Sequence, residues 1–391
     1  MSRTTWVLMV AAACGGGSGN VPDAAVSQDA TVAIDAPDAA TGCSGLDPWD
    51  APVGAAVVGA TLYDGWTDLR VLPAPVNVDG GWTDSVAVTP DGCHLWFGYS
   101  RNDFTEFFAG VNQMPPHVVL DPSGPVRPGM TGTTFQIFRA DLSSAGWSET
   151  YWSNNDPAKL FASASVNAAQ DLLVFSNFVG AASISELQYS ALSNGAWSAP
   201  TPLPHYAASP APGEVGINTS CDGGDDNGFI IGSLAAQVTL FWESRRSSPD
   251  GSACGSNRHL YRSIYTSGVG WSAIAPIPGL NELAAPESDD SQVSFAPDAS
   301  DAYWTSIRSY QGVPTYGIFT AHLDGSSYAG AHPIVVPTSM SPFANKLVIL
   351  GELNVATLPQ GRIGYFMCGV AQTDDPHAQV VLQVCRMKQP I

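Results

Sequence analysis

Positive charge is scarce in this sequence. Lys and Arg number 15 against 35 Asp and Glu, a formal net charge of −20 over 391 residues. Such a surface repels nucleic acid and anionic lipid, so neither is expected as a partner, while cations and neutral ligands, glycans included, are tolerated. Charged residues of both signs make up only 13 % of the chain. Local metal and nucleotide motifs are missing too. There is no CxxC pair with zinc-ligand spacing and no HExxH, which removes the usual zinc sites. No Walker or dinucleotide glycine pattern follows a strand, and no Gly-x-Ser-x-Gly elbow presents a nucleophile. No apolar run reaches the length needed to span a bilayer as a helix. No cofactor is expected on these grounds.

Turn-forming residues are abundant instead: Gly 39 and Pro 30. That composition suits many short strands joined by turns. From about residue 62 the chain repeats imperfectly. One unit reads Thr83-Asp84-Ser85-Val86-Ala87-Val88-Thr89-Pro90-Asp91-Gly92, then Leu95-Trp96-Phe97-Gly98-Tyr99, and ends on Gly146-Trp147-Ser148. Pro90 presets φ, Asp91 bonds locally and Gly92 accepts positive φ, so this is hairpin chemistry between alternating apolar runs. Later units carry Leu172-Leu173-Val174-Phe175 with Gly195-Ala196-Trp197, Leu240-Phe241-Trp242-Glu243 with Gly270-Trp271, and Ala302-Tyr303-Trp304 with Tyr316 to Ala321. A weaker fifth runs from Glu352 to Arg386. Each unit predicts four short strands in two hairpins, one blade of a propeller. The expected fold is all-β, a single β-propeller of five blades, or six if residues 103–134 hold another. The recurring Gly-Trp aromatics are read as packing residues. The segment 72–77 resembles a last strand with no blade before it, and is expected to complete the final blade and remove its exposed edge.

These repeats resemble the TolB-like and WD-like repeats of bacterial exported proteins. Thr89-Pro90-Asp91-Gly92 matches that pattern well and Ala296-Pro297-Asp298 fairly. The resemblance implies a propeller with a binding or scaffolding role towards an envelope protein or glycan. At the N-terminus, Arg3 followed by an apolar stretch and then Cys14-Gly15 resembles a bacterial lipobox. It implies a signal segment over 1–14, lipidation of Cys14, and attachment by a lipid anchor alone to the outer membrane or a periplasm-facing membrane. Residues 15–50 hold six Asp and no Lys or Arg, with few large apolar side chains. They read as a disordered tether, leaving 51–391 as the propeller domain. The other six cysteines suit disulfides in an exported protein. Proximity favours Cys221–Cys254 and Cys368–Cys385, leaving Cys43–Cys93.

Carboxylates recur where inner strands begin: Asp84, Asp226, Asp290 and Glu352, while the second unit offers Ala162 or Ser163 instead, which counts against catalysis. Inner strands line a propeller's central channel, so these four are candidate channel ligands. Converged like charges raise one another's pKa, a route to acid–base work or cation binding. Capping of turns, or pairing with Arg101, Arg245 or Arg308, is the structural alternative. Five-bladed propellers include arabinanase-like glycoside hydrolases, similar in fold type and residue class. That similarity implies Asp84, Asp226 and Glu352 as acid, base and helper. Asp222 to Gly228 looks like a calcium loop but misses the EF-hand pattern, and reads as an acidic turn, with a bound structural calcium as the lesser alternative. Trp66 and Trp82 lie in a duplicated phrase, Gly65-Trp66-Thr67-Asp68 and Gly81-Trp82-Thr83-Asp84, and are expected to pack at the ring closure.

Overall fold

A computed structural model of the chain describes residues 43, 45–101, 124–132, 135–179, 184–207, 215–221, 224–281, 288–338, 344–373 and 380–391. Cys14 and nearly all of the expected tether lie outside the described residues. The strands form five antiparallel sheets arranged as a five-bladed β-propeller.

Two short strands come first, β1 (Ala60–Leu62) and β2 (Thr67–Val71). Blade one follows as β3 (Trp82–Val88), β4 (His94–Ser100), β5 (Gln136–Ser143) and β6 (Gly146–Tyr151). Blade two is β7 (Leu160–Val166), β8 (Leu172–Val179) and β9 (Ile184–Ser193), edged by β10 (Ala196–Trp197) and β11 (Thr201–Pro202). Blade three is β12 (Asp225–Gly232), β13 (Gln237–Arg246) and β14 (Cys254–Thr266), edged by β15 (Gly270–Trp271) and β16 (Ala275–Pro276). Blade four is β17 (Asp289–Phe295), β18 (Asp301–Tyr310), β19 (Val313–Asp324) and β20 (Ser327–Pro337). Blade five is β21 (Leu347–Leu358), β22 (Gly361–Ala371) and β23 (Val380–Pro390).

The inner strands β3, β7, β12, β17 and β21 each touch the next, and β21 returns to β3. Closure uses the N-terminal segment, as the bare edge of the last unit requires. The strand that does it is β2, earlier than the 72–77 expected: β2 pairs with β23. Only Leu72 continues the ladder, its N–H bonding Val384 O at 2.9 Å. The chain then turns away, and the Asn77 side chain clamps Leu72 O and both backbone groups of Val384. Meanwhile β1 adds a fifth strand to blade four through β20.

Apolar layers fill the spaces between blades. Trp96, Trp152, Phe161 and Phe175 join blades one and two. Trp242, Leu240 and Leu187 join two and three. Trp147 packs into the layer between blades five and one, and Trp66 into that between four and five. Three disulfides add covalent ties, Cys43–Cys93, Cys221–Cys254 and Cys368–Cys385. The first fixes the segment preceding the propeller to the hairpin turn of blade one.

Candidate functional site

Each inner strand contains the same one-residue bulge. In blade one the pairing jumps from Asp84↔Gly98 to Ala87↔Trp96, so two residues of β3 oppose one of β4. Equivalent jumps follow Ala162, Asp226, Ser291 and Gly351. The first bulged residues are Ser85, Ser163, Asn227, Gln292 and Glu352. All five have positive φ, between 50° and 59°. A side chain there costs about 1–3 kcal/mol per site, and such strain gathers at functional positions. The five side chains line one depression on the propeller axis, with Ser165 and Asn354 beside them. Glu352 is the only ionisable residue in that lining.

The bulges dispose the carboxylates. Asp84 and Asp226 sit one residue before the bulge, and each caps the bulge amide: Ser85 N–H bonds Asp84 Oδ1 at 2.8 Å, and Asn227 N–H bonds Asp226 Oδ1 at 2.7 Å. Asp84 Oδ2 also accepts from Trp82 Nε1 at 2.9 Å. Asp226 Oδ1 also accepts from the Ser176 hydroxyl of blade two. Glu352 reaches blade one, its Oε1 accepting from Ser85 Oγ at 3.1 Å. Buried Oε2 accepts from no donor, and the Glu352 carboxyl shares a hydrogen bond with Asp84. Two carboxylates in contact hold a proton between them. Both Asp84 oxygens already accept from fixed donors, so the shared proton belongs on Glu352 rather than on Asp84.

Burial and then the adjacent Asp84 charge push Glu352 well above the usual carboxyl range. Burial raises Asp84 also. The two titrate as a pair. Burial, reinforced by the Glu243 carboxylate, raises Asp226 to about 6. The site therefore offers a glutamate that holds its proton well above the usual carboxyl range and a separate carboxyl raised to about 6.

Asp290 does not join this group. It lies two residues before its bulge, at the level of Asp225, and the expectation of a fourth equivalent carboxylate is corrected by that offset. Both are fully buried in the same arrangement. Asp290 Oδ1 takes the Arg308 guanidinium and Ser306 Oγ, with Trp304 Nε1 at 3.2 Å. Asp225 takes Arg246, Trp242 Nε1 and Thr219. These pairs lie within one blade, and in blade three the partner is Arg246 rather than Arg245. Arg101 holds the corresponding place in blade one, where Thr83 replaces the acid, and Arg101 Nε bonds Gly124 O instead. Asp225 is thus consumed by its own blade. Asp222 lies outside the described residues. Among the described residues no group of three or more His, Cys, Asp or Glu is arranged to hold a metal ion.

The sequence did not mark Glu243. It lies on β13, directly opposite Asp226 in the ladder, and is 3 % exposed. Its Oε2 caps the bulge amide of Gln292 at 2.7 Å, and its Oε1 meets Arg258 Nη1 at 3.0 Å. Blade four has Ser291 where blades one and three have Asp, so the cap arrives from the neighbouring blade. The missing acid at 291 was the available signal. Of the duplicated tryptophans, Trp66 is core, while Trp82 packs edge-on against Phe135 and holds Asp84.

No protein-family model matches the chain, and no curated protein matches it. The resemblance to TolB-like and WD-like repeats therefore extends to the propeller and no further. Solved structures with related backbones include a glycoside hydrolase at 8 % identity and TM-score 0.49, covering 83 % of this chain and 91 % of that one. The catalytic domain of a GH62 α-L-arabinofuranosidase of Coprinopsis cinerea aligns at 10 % and 0.43, over 79 % and 90 %. A family 117 glycoside hydrolase of Zobellia galactanivorans aligns at 10 % and 0.43, over 83 % and 89 %. At such identities and scores these likenesses carry nothing about the chemistry of this chain.

Proposed function

We propose that the protein is a glycan-acting hydrolase whose reaction centre is the axial cluster of Asp84, Asp226 and Glu352. The observation that carries this reading is the separation of two protonation states around one depression. Glu352 holds a proton against Asp84, while Asp226 ionises near pH 6. Two carboxyl groups pushed apart in this way are an acid and a base. Glycosidic bond cleavage requires such a pair. Glu352 is the general acid, protonating the leaving oxygen. Asp226 is the base that activates water, and Asp84 keeps the proton on Glu352. Ser163, Asn227, Gln292 and Asn354 offer neutral hydrogen-bonding groups suited to sugar hydroxyls.

A pure binding module would favour a broad apolar face. Among the described residues the exposed large apolar side chains are instead dispersed along the chain, as Val58, Tyr63, Val126, Tyr206, Val269, Val313 and Ile391. The disulfides fit an exported protein. Lipidation at Cys14 completes the proposal, placing the enzyme at an envelope membrane facing its glycan.

The test is product release from a panel of neutral polysaccharides, read by chromatography, for wild type, Glu352→Gln and Asp226→Asn. Loss of an acid or base lowers turnover by about 10²- to 10⁴-fold. Release by the variants at the wild-type rate, or none by wild type on any glycan, rejects the reading.

A further inference from the structure

The geometry points to Glu243 as a positioning residue for Asp226, a fourth carboxylate that completes the axial ring from the second strand of blade three. Three observations converge. Glu243 and Asp226 are ladder partners on β12 and β13, so their side chains leave the same stretch of sheet. Glu243 does for the blade-four bulge what Asp84 and Asp226 do for their own, accepting the Gln292 amide. It is also buried, yet anchored by a second acid through one cation: Arg258 bridges Glu243 at 3.0 Å and Asp289 at 3.0 Å. Arg258 N–H bonds Asp289 Oδ1 at 2.8 Å as well, so backbone and guanidinium hold one orientation.

The charge balance gives this arrangement a consequence. Arg258 serves both Glu243 and Asp289, and Arg245 also acts on Asp289, while Glu243 is the carboxylate directly opposite Asp226. The charged groups facing Asp226 are Glu243 from β13, Arg258 from β14 and Glu352 from β21. Glu243 opposes ionisation of Asp226 and Arg258 favours it. A blade-four contact is thereby linked to the protonation of a blade-three acid. Nothing in the Gln292 cap itself requires an ionised group, since an amide oxygen accepts the same bond. The like charge that Glu243 places directly opposite Asp226 is therefore assigned to tuning that neighbour.

The catalytic meaning of this role rests on Asp226 being the base of the proposed reaction, whereas the titration does not. The experiment is a pH titration of the Asp226 carboxyl by ¹³C NMR on the full chain with labelled Asp, assigned by Asp226→Asn. Glu243→Gln is expected to move the midpoint from about 6 to lower pH, by roughly three- to tenfold in proton affinity at about 1.4 kcal/mol per tenfold. Glu243→Asp keeps the charge and is expected to leave the midpoint near that of wild type even where it loosens the Gln292 cap. An unmoved midpoint in Glu243→Gln, or equal shifts in both variants, overturns the inference. Should Glu243→Gln fail to fold, the shorter neutral variant Glu243→Asn removes the same charge, so the midpoint is expected to fall, and a constant midpoint overturns the inference. If the midpoint moves as expected while no glycan is cleaved, the hydrolase reading fails and the assignment of Glu243 stands.

Discussion

Asp226→Asn should stabilise the protein at neutral pH while abolishing its activity. In the folded chain, burial and Glu243 raise this carboxyl from 3.8 to about 6. The folded state therefore binds the proton more tightly than the unfolded chain does. Stability from that proton is fully present below pH 3.8 and is lost as pH rises through 6. At 1.36 kcal/mol per pH unit the ceiling is about 3 kcal/mol. Asp226 is partly accessible, so about 2 kcal/mol is the working figure. Asparagine keeps an acceptor for Ser176 Oγ and Asn227 N–H but carries no charge. Urea unfolding at pH 4 and pH 7.5 measures the effect. The variant should match wild type at pH 4 and exceed it by about 2 kcal/mol at pH 7.5. Destabilisation at pH 7.5, or an equal gain at both pH values, refutes the argument.

Three further outcomes follow from the same geometry. Turnover plotted against pH should rise as Asp226 ionises near 6 and fall where the Asp84–Glu352 pair loses its proton; Asp84→Asn removes the charge that holds that proton, so the alkaline limb should move to lower pH. Ser163, at φ 52°, should tolerate Gly with unchanged or higher stability, whereas Ser163→Val should cost about 1–3 kcal/mol in denaturant melts, because a β-branched residue is poorly suited to positive φ. Arg246→Met strands the fully buried Asp225 without its cation, and should cost about 3–5 kcal/mol by the same assay.

How much of this was legible in the sequence depends on the scale of the feature. Propeller architecture was written in turn chemistry and in the recurring apolar strands, which report hairpins directly. Ring closure was legible as a strand with no blade of its own, though the pairing segment is β2 and 72–77 only adjoins it. Disulfide pairing followed from proximity along the chain. The carboxylate set was legible only in part, because Asp84, Asp226, Asp290 and Glu352 look equivalent as acids near the starts of four of the five inner strands. A bulge makes a one-residue offset decisive, since side chains alternate between faces. Asp290 falls two residues before its bulge and is neutralised by Arg308, while Asp84 and Asp226 fall one before and Glu352 on it. No local pattern announced these bulges, since Ser, Asn, Gln and Glu occupy positions where glycine is the usual signal. Glu243 was hidden for a different reason: it sits on a second strand and enters the ring only through the pairing of β12 with β13.

The most direct test of Glu352 as general acid compares leaving groups. An aryl glycoside with a strongly acidic phenol departs without protonation, whereas an alkyl or sugar leaving group needs the proton. Once a cleaved glycan is in hand, Glu352→Gln should lose about 10²- to 10⁴-fold in turnover on the natural linkage and little on the activated aryl glycoside of the same sugar. An equal loss on both substrates would contradict the assignment of the proton to Glu352, and with it the account of the axial site.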